Sequence, residues 1–214
     1  KKFENPWPIL DLLFYESKHF NNQTTGQNYI MLLACLCKEH KDFARARAKN
    51  CYKIICSMIE KNYYSILKSG YNALRIIHPF YPEGKIPVSS IKNQIYQDEV
   101  RTNILSFLIS LPIDHKCFQN PDLIEALIKT AQTSKKSAAV LLKIAALKEN
   151  ADFILTNEES MLEMNLPNLQ TTLQIFLVIF SHKSLRSKII KDKKYFAEFL
   201  CRLVESEQTG VLII

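Results

Sequence analysis

The sequence predicts an all-α fold, an array of stacked helical units forming an α-solenoid, and three observations predict it. Apolar residues recur at three- and four-residue steps along nearly the whole chain, with no convincing run of strict alternation to mark a strand. Only four of the 214 residues are Gly, against a usual share of about 7%, which leaves few of the residues that β-turns and phosphate-cradling loops need. Turn signals then cut the helical pattern into short pieces, at Asn5-Pro6, residues 21–26, Ser69-Gly70, residues 78–87, Leu111-Pro112, Asn120-Pro121, Leu166-Pro167 and Gly210.

Taken in order, TGQNYIMLLACLCKEH predicts a long helix, KDFARA a short one, RAKNCYKIICSMIEKN a second and SILKSGYNALRII a third. The segment IIHPFYPEGKIP interrupts the pattern longest, with Pro79, Pro82 and Pro87 in twelve residues. A helix follows from near residue 99. Asn120-Pro121 then opens DLIEALIKTAQ, because Asn caps a helix and Pro suits its first position. After a break at Thr133-Ser134, residues 136–148 form a longer apolar helix and ENADFIL a short one. The same order returns downstream in EESMLEM, NLQTTLQIFLVIF, SLRSKIIKD and KKYFAEFLCRLVE, with GVLII starting another helix.

The longer inner helices thus begin near residues 25, 66, 99, 136, 168 and 208. Steps in the thirties to low forties are the signature of helical repeats, units too small to bury their apolar faces alone and therefore stacked on their neighbours. Residues 137–155, SAAVLLKIAALKENADFIL, fit this picture. Their two Ala-Ala pairs suit a central helix pressed from several sides, where small side chains let backbones approach.

Within that stretch NPDLIEALI, SAAVLLKIA and ENADFIL together resemble an armadillo repeat, with overlap to the related HEAT type. Ala138, Val140, Leu141, Ile144 and Ala145 stand at the small and apolar positions of its third helix. The match is good for residues 120–156, partial for 165–214 and weak before 112. The resemblance implies a right-handed solenoid of about five to six units over residues 1–214, one domain, which binds a protein or peptide partner along a concave groove lined by the third helices. Members that hold nuclear-localisation peptides present Trp and Asn at fixed groove positions. Here the equivalent positions are Ala139 and Lys143, Asn103 and Phe107, and Asn72 and Ile76, while the sole tryptophan is Trp7. An Asn ladder is absent, which argues against that particular mode. Asn72, Arg75, Asn103, Lys136 and Lys143 are the inner-helix residues assigned to partner binding. Phe80 and Tyr81, aromatics on the proline-rich loop, join them because loops on a rigid scaffold often carry binding.

No nucleophile-base pair, paired carboxylates, metal-ligand spacing or phosphate loop stands out, so the chain reads as non-catalytic and without a cofactor. His78 beside Glu83 reads as a helix-end histidine. Six cysteines, Cys35, Cys37, Cys51, Cys56, Cys117 and Cys201, contain no C-x-x-C pair and mostly fall inside apolar helical patterns. They read as reduced and structural, implying a cytoplasmic or nuclear compartment. Tyr52, Tyr63, Tyr64 and Tyr71 read as core packing. The longest apolar runs are far shorter than the roughly 18 residues a membrane span needs. An N-terminus without Met and an abrupt apolar end suggest a fragment of a longer protein.

The net charge of +7 is concentrated in residues 1–111, with 15 Lys+Arg against 9 Asp+Glu, whereas residues 112–214 hold 13 against 12. Two basic clusters, KEHKDFARARAKNCYK and HKSLRSKIIKDKK, make nucleic-acid binding the second reading. A third is a regulatory or targeting region attached to a catalytic domain, such as a protein kinase, in the same full-length chain.

Overall fold

A computed structural model describes residues 23–156 and 169–191, together with Cys201. These described residues are all-helical, with no strand among them. The helices are α1 (Gln23–Glu39), α2 (Lys41–Glu60), α3 (Tyr64–Ile77), α4 (Val88–Gln94), α5 (Asp98–Ser110), α6 (Pro121–Ala131), α7 (Lys135–Ile144), α8 (Lys148–Thr156), α9 (Leu169–Ser181) and α10 (Lys183–Lys191). Two short 3-10 turns, His78–Phe80 and Lys116–Gln119, punctuate them. The chain divides into two compact units between Phe107 and Leu108.

In the first unit α1, α2 and α3 pack on one another, and the His78–Phe80 turn packs on α2 and α3. The helical period dictates which side chains go inside: Ile66, Leu67, Tyr71, Leu74 and Ile77 of α3 are all buried, as are Phe43, Ala48, Cys51, Ile55 and Ile59 of α2. Gly70, read from the sequence as a turn signal with Ser69, lies instead in the middle of α3. A Cβ there would sit 2.7 Å from Cγ1 of Ile59. The glycine is there so that α2 and α3 can approach closely, and the loss of helix propensity is offset by that packing. Similarly, the expected break between KDFARA and RAKNCYKIICSMIEKN does not exist. Lys41–Glu60 is one continuous helix of 20 residues, since its Ala and Arg residues carry the helical pattern straight through.

In the second unit α6 packs on α7 and α8, α7 and α8 pack on α9, and α9 on α10. Local chemistry sets the starts. Asn120 Oδ1 accepts from the Leu123 amide at 3.1 Å with Pro121 at the first helical position, and Ser134 Oγ accepts from the Ser137 amide at 3.3 Å. Buried Thr130 and Ser137 then join α6 to α7 through hydroxyls 2.9 Å apart.

The observed starts of α1, α3, α5, α7 and α9 are residues 23, 64, 98, 135 and 169, spaced 41, 34, 37 and 34 apart. These lie within two residues of the sequence reading. The expected helices EESMLEM, KKYFAEFLCRLVE and GVLII lie outside the described residues, apart from Cys201.

Candidate partner-binding surface

One face of α3 stays open while the opposite face is buried. Tyr64, Lys68, Asn72 and Arg75 recur at helical spacing on it, with Tyr64, Lys68 and Arg75 exposed and Asn72 half-buried. The Lys68 ammonium lies 5.0 Å from the centre of the Tyr64 ring. Its hydrogen bond with Tyr64, aided by the nearby Glu99 carboxylate, raises the lysine above its ordinary value. Glu99 belongs to the first turn of α5. Four residues beyond Lys68 comes Asn72, and four beyond Glu99 comes Asn103. The Tyr71 and Phe107 rings, 6.3 Å apart, make a second contact further along both helices. That ring contact joins α3 to α5, and Asn72 and Asn103 are both half-buried. Asn103 is half-buried, with exposed Thr102 and half-buried Ser106 on its side of α5.

Beneath this face lies a column of rings. Tyr81 meets Tyr52 edge-on at 5.7 Å, Tyr52 lies 6.0 Å from His78, and His78 meets Phe107 edge-on at 6.2 Å. His78 is thereby enclosed in the core, while Glu83 is exposed. Gly84 fits against the Tyr52 ring, where a Cβ would come within 2.8 Å, and so holds the proline-rich segment down. Phe80 and Tyr81 are half-buried. Tyr81 is therefore shared between core and surface.

A buried polar network fixes the ends of these helices. Tyr71 Oη–H donates to Gln94 Oε1 at 2.6 Å, and Gln94 Nε2–H donates to the Ile59 carbonyl at 3.2 Å and to Asn62 Oδ1 at 3.0 Å. Asn62 adopts the left-handed backbone, φ 59°, which Asn tolerates better than most residues. Burial pushes the Tyr71 phenol up. Arg101 closes α4 by donating to the carbonyls of Ile95 and Tyr96 at 2.8 and 3.1 Å, and pairs with Asp98 at 2.6 Å.

The remaining assigned residues lie in the second unit. Lys136 is exposed near the start of α7. Lys143, read as a projecting binding residue, turns back onto the chain instead. Its ammonium donates to the Ile109 carbonyl at 2.6 Å and to that of Leu111, and lies 6.0 Å from the Phe118 ring centre. It caps the C-terminal end of α5, where carbonyls lack helical partners. Burial depresses its pKa.

Sequence reasoning grouped Tyr63 and Tyr64 with Tyr52 and Tyr71 in the core. Tyr52 and Tyr71 are buried, but Tyr63 and Tyr64 are 38% and 42% exposed. The signal was available, because Tyr64 is in phase with Lys68, Asn72 and Arg75, whereas Tyr71 is in phase with Leu67 and Leu74. Of the first basic cluster, Lys38 at the end of α1 and Lys41, Arg45, Lys49 and Lys53 along α2 are exposed, with Arg45 3.5 Å from Asp42. In the second, Lys183 and Arg186 are exposed. Lys193 and Lys194 lie outside the described residues.

The cysteines divide by burial. Cys37, Cys51 and Cys117 are buried, Cys56 is half-buried, Cys35 and Cys201 are exposed, and all six are free thiols. Cys37 and Cys51 share a hydrogen bond that lowers the first and raises the second. Among the described residues no three His, Cys, Asp or Glu side chains gather as metal ligands, and no helix is long and apolar enough to cross a membrane. Comparison with family models, curated proteins and solved structures returned no match to this chain.

Proposed function

We propose that this chain is a non-catalytic protein-interaction module, a right-handed armadillo-like α-solenoid of about five to six units that binds an extended peptide segment of a partner. The observation that carries the reading is the pairing of α3 with α5. The two helices start 34 residues apart in sequence, meet through the Tyr71 and Phe107 rings, and each carries a half-buried Asn, Asn72 and Asn103. This is the relation expected of corresponding helices in adjacent repeats.

The chemistry of the face suits a peptide. Asn side chains offer both a donor and an acceptor to a backbone amide, Tyr64 offers a flat amphipathic ring of a type enriched at interfaces, and Lys68, Arg75 and Glu99 place both charge signs around them. Phe80 and Tyr81 border the same unit on the proline-rich segment. In the second unit Lys136 is the surface cation on the corresponding helix α7, while Lys143 serves the fold.

The test is selection of linear peptides from a random display library against the folded chain, followed by titration of the selected peptides with variants. Asn72→Ala and Arg75→Glu are expected to weaken binding about 10-fold or more, in the range of interface residues that matter. Lys53→Glu, an exposed change on α2, is expected to leave it unchanged. Peptides that bind every variant alike would remove this face from the proposal.

A further inference from the structure

A single residue, His40, joins α1 to α2, and the two helices pack on each other. Cys37, two residues before the end of α1, and Cys51, at mid-length of α2, meet across that contact. Both are fully buried, and their thiols share a hydrogen bond. We propose that Cys37 and Cys51 are a redox pair, which hydrogen peroxide closes into a disulfide that clips α1 to α2. This device is separate from the peptide-binding face of α3 and α5 and uses none of its residues.

The sequence prepares the contact. Ala44, Ala48 and Cys51 recur at four- and three-residue steps along α2, and Ala34 and Cys37 at three along α1, all of them buried. Short side chains on both helices permit the close backbone approach that a disulfide needs. The other thiols of the first unit are placed differently. Cys35 is exposed on α1, and Cys56 Sγ–H donates to the Lys85 carbonyl at 3.9 Å. Cys117 lies in the second unit.

The hydrogen bond divides the roles. Both sulfurs are free thiols in this state. Cys51 Sγ–H donates to Cys37 Sγ, and that bond lowers Cys37 against the opposing effect of burial while raising Cys51. Cys37 is therefore the nucleophile, since the thiolate is the reactive form. It attacks one oxygen of peroxide, the O–O bond breaks, and Cys37 becomes a sulfenic acid as hydroxide leaves. That hydroxide takes the Cys51 proton and becomes water. The Cys51 thiolate, favoured by the Arg47 charge one turn before it, then attacks Cys37 Sγ and displaces a second hydroxide, which takes up the proton that Cys37 had released. Two thiols and one peroxide thus give one disulfide and two waters, with two electrons passing from sulfur to oxygen.

The end of α1 supplies the route in. Lys38, Glu39 and His40, which follow Cys37, are all exposed, and terminal turns open at low free energy. Peroxide is small enough to use such an opening, and the disulfide would then hold the turn shut.

The test treats the folded 214-residue chain with graded hydrogen peroxide, blocks the remaining thiols with N-ethylmaleimide, and maps the cysteines by mass spectrometry after proteolysis. We expect the peptides carrying Cys37 and Cys51 to appear joined, with two hydrogens lost, at least about 10-fold more often than any other cysteine pair, because proximity selects the partner. Dithiothreitol should reverse the link. Cys35 and Cys37 lie between the same two lysines, Lys18 and Lys38, so trypsin leaves them together and Cys35→Ser tells them apart. The link should persist in Cys35→Ser and vanish in Cys37→Ser and Cys51→Ala, with circular dichroism establishing that each variant is folded. Should a variant fail to fold, the unaltered chain oxidised in urea serves instead, and its cysteines should pair without that selectivity. Cys37 and Cys51 remaining thiols while other cysteines of the folded chain oxidise, a link made through Cys35, or the same mixture of pairs with and without urea would overturn the proposal.

Discussion

Replacing Ala138 by Leu should destabilise the protein, while the same change one residue later should not. The stretch SAAVLLKIAALKENADFIL contains two Ala-Ala pairs, and each splits the same way: Ala138 and Ala145 are fully buried, Ala139 and Ala146 exposed. Leu adds three carbons where α7 meets α6 and α9. With no exposed volume to expand into, neighbours must leave their rotamer minima, at a cost of about 1–3 kcal/mol. For a chain of this size each kcal/mol shifts Tm by about 2–4 °C, so Ala138→Leu and Ala145→Leu should lower it by roughly 2–12 °C. Ala139→Leu and Ala146→Leu should stay within about 0.5 kcal/mol, because Ala and Leu differ little in helix propensity and surface changes are mild. Urea unfolding followed by circular dichroism measures all four. Equal destabilisation by both members of a pair, or none by either, would refute the packing.

Other consequences are equally direct. Gln94→Leu should cost about 2 kcal/mol or more by leaving the Tyr71 hydroxyl buried without its acceptor, and adding Tyr71→Phe should restore about 1 kcal/mol of that; additive losses in the double-variant cycle would sever the Tyr71–Gln94 link. Gly70→Ala should destabilise by about 1–2 kcal/mol despite its better helix propensity, because the new Cβ meets Ile59; a stabilised variant would show that α2 and α3 do not approach as described. Burial pushes the Cys56 and Cys117 thiols up to about 12. The folded state thus holds protons that the unfolded chain releases near pH 9, so stability should be present in full below pH 9 and fall as pH rises toward 12, with a shallower fall in Cys117→Ala; an unchanged slope would contradict its burial. In native protein Cys35 should react with a thiol reagent at least about 10-fold faster than Cys117, as thiolate formation and access require.

Where local chemistry sets structure, the sequence was readable. Asn120-Pro121 and Ser134 mark the starts of α6 and α7 because a cap and its amide are three residues apart. The starts of α3 and α5 followed from apolar period alone. What escaped was long-range. Nothing near Ser69-Gly70 says that Ile59 will press on it from α2, so a packing glycine looked like a turn. Lys143 meets its carbonyls 32 and 34 residues away, and no spacing rule links them. Arg101 is different, since its partners Ile95 and Tyr96 are six and five residues back. Asn72, Arg75 and Asn103 were assigned to inner helices through the armadillo resemblance; Arg75 is exposed and the two Asn are half-buried. Tyr64 and Lys68 share the helical phase of Asn72 and Arg75 and were legible in the same way, whereas Glu99 comes near Lys68 only through tertiary packing.

The proposal that α3 and α5 form one peptide-binding surface is tested most directly by calorimetric titration of a selected peptide into Asn72→Ala, Asn103→Ala and the double variant. About 10-fold weaker binding is expected for each single change, with the double variant weaker than either. Unchanged affinity in Asn103→Ala, with Asn72→Ala impaired, would contradict a surface shared by the two helices.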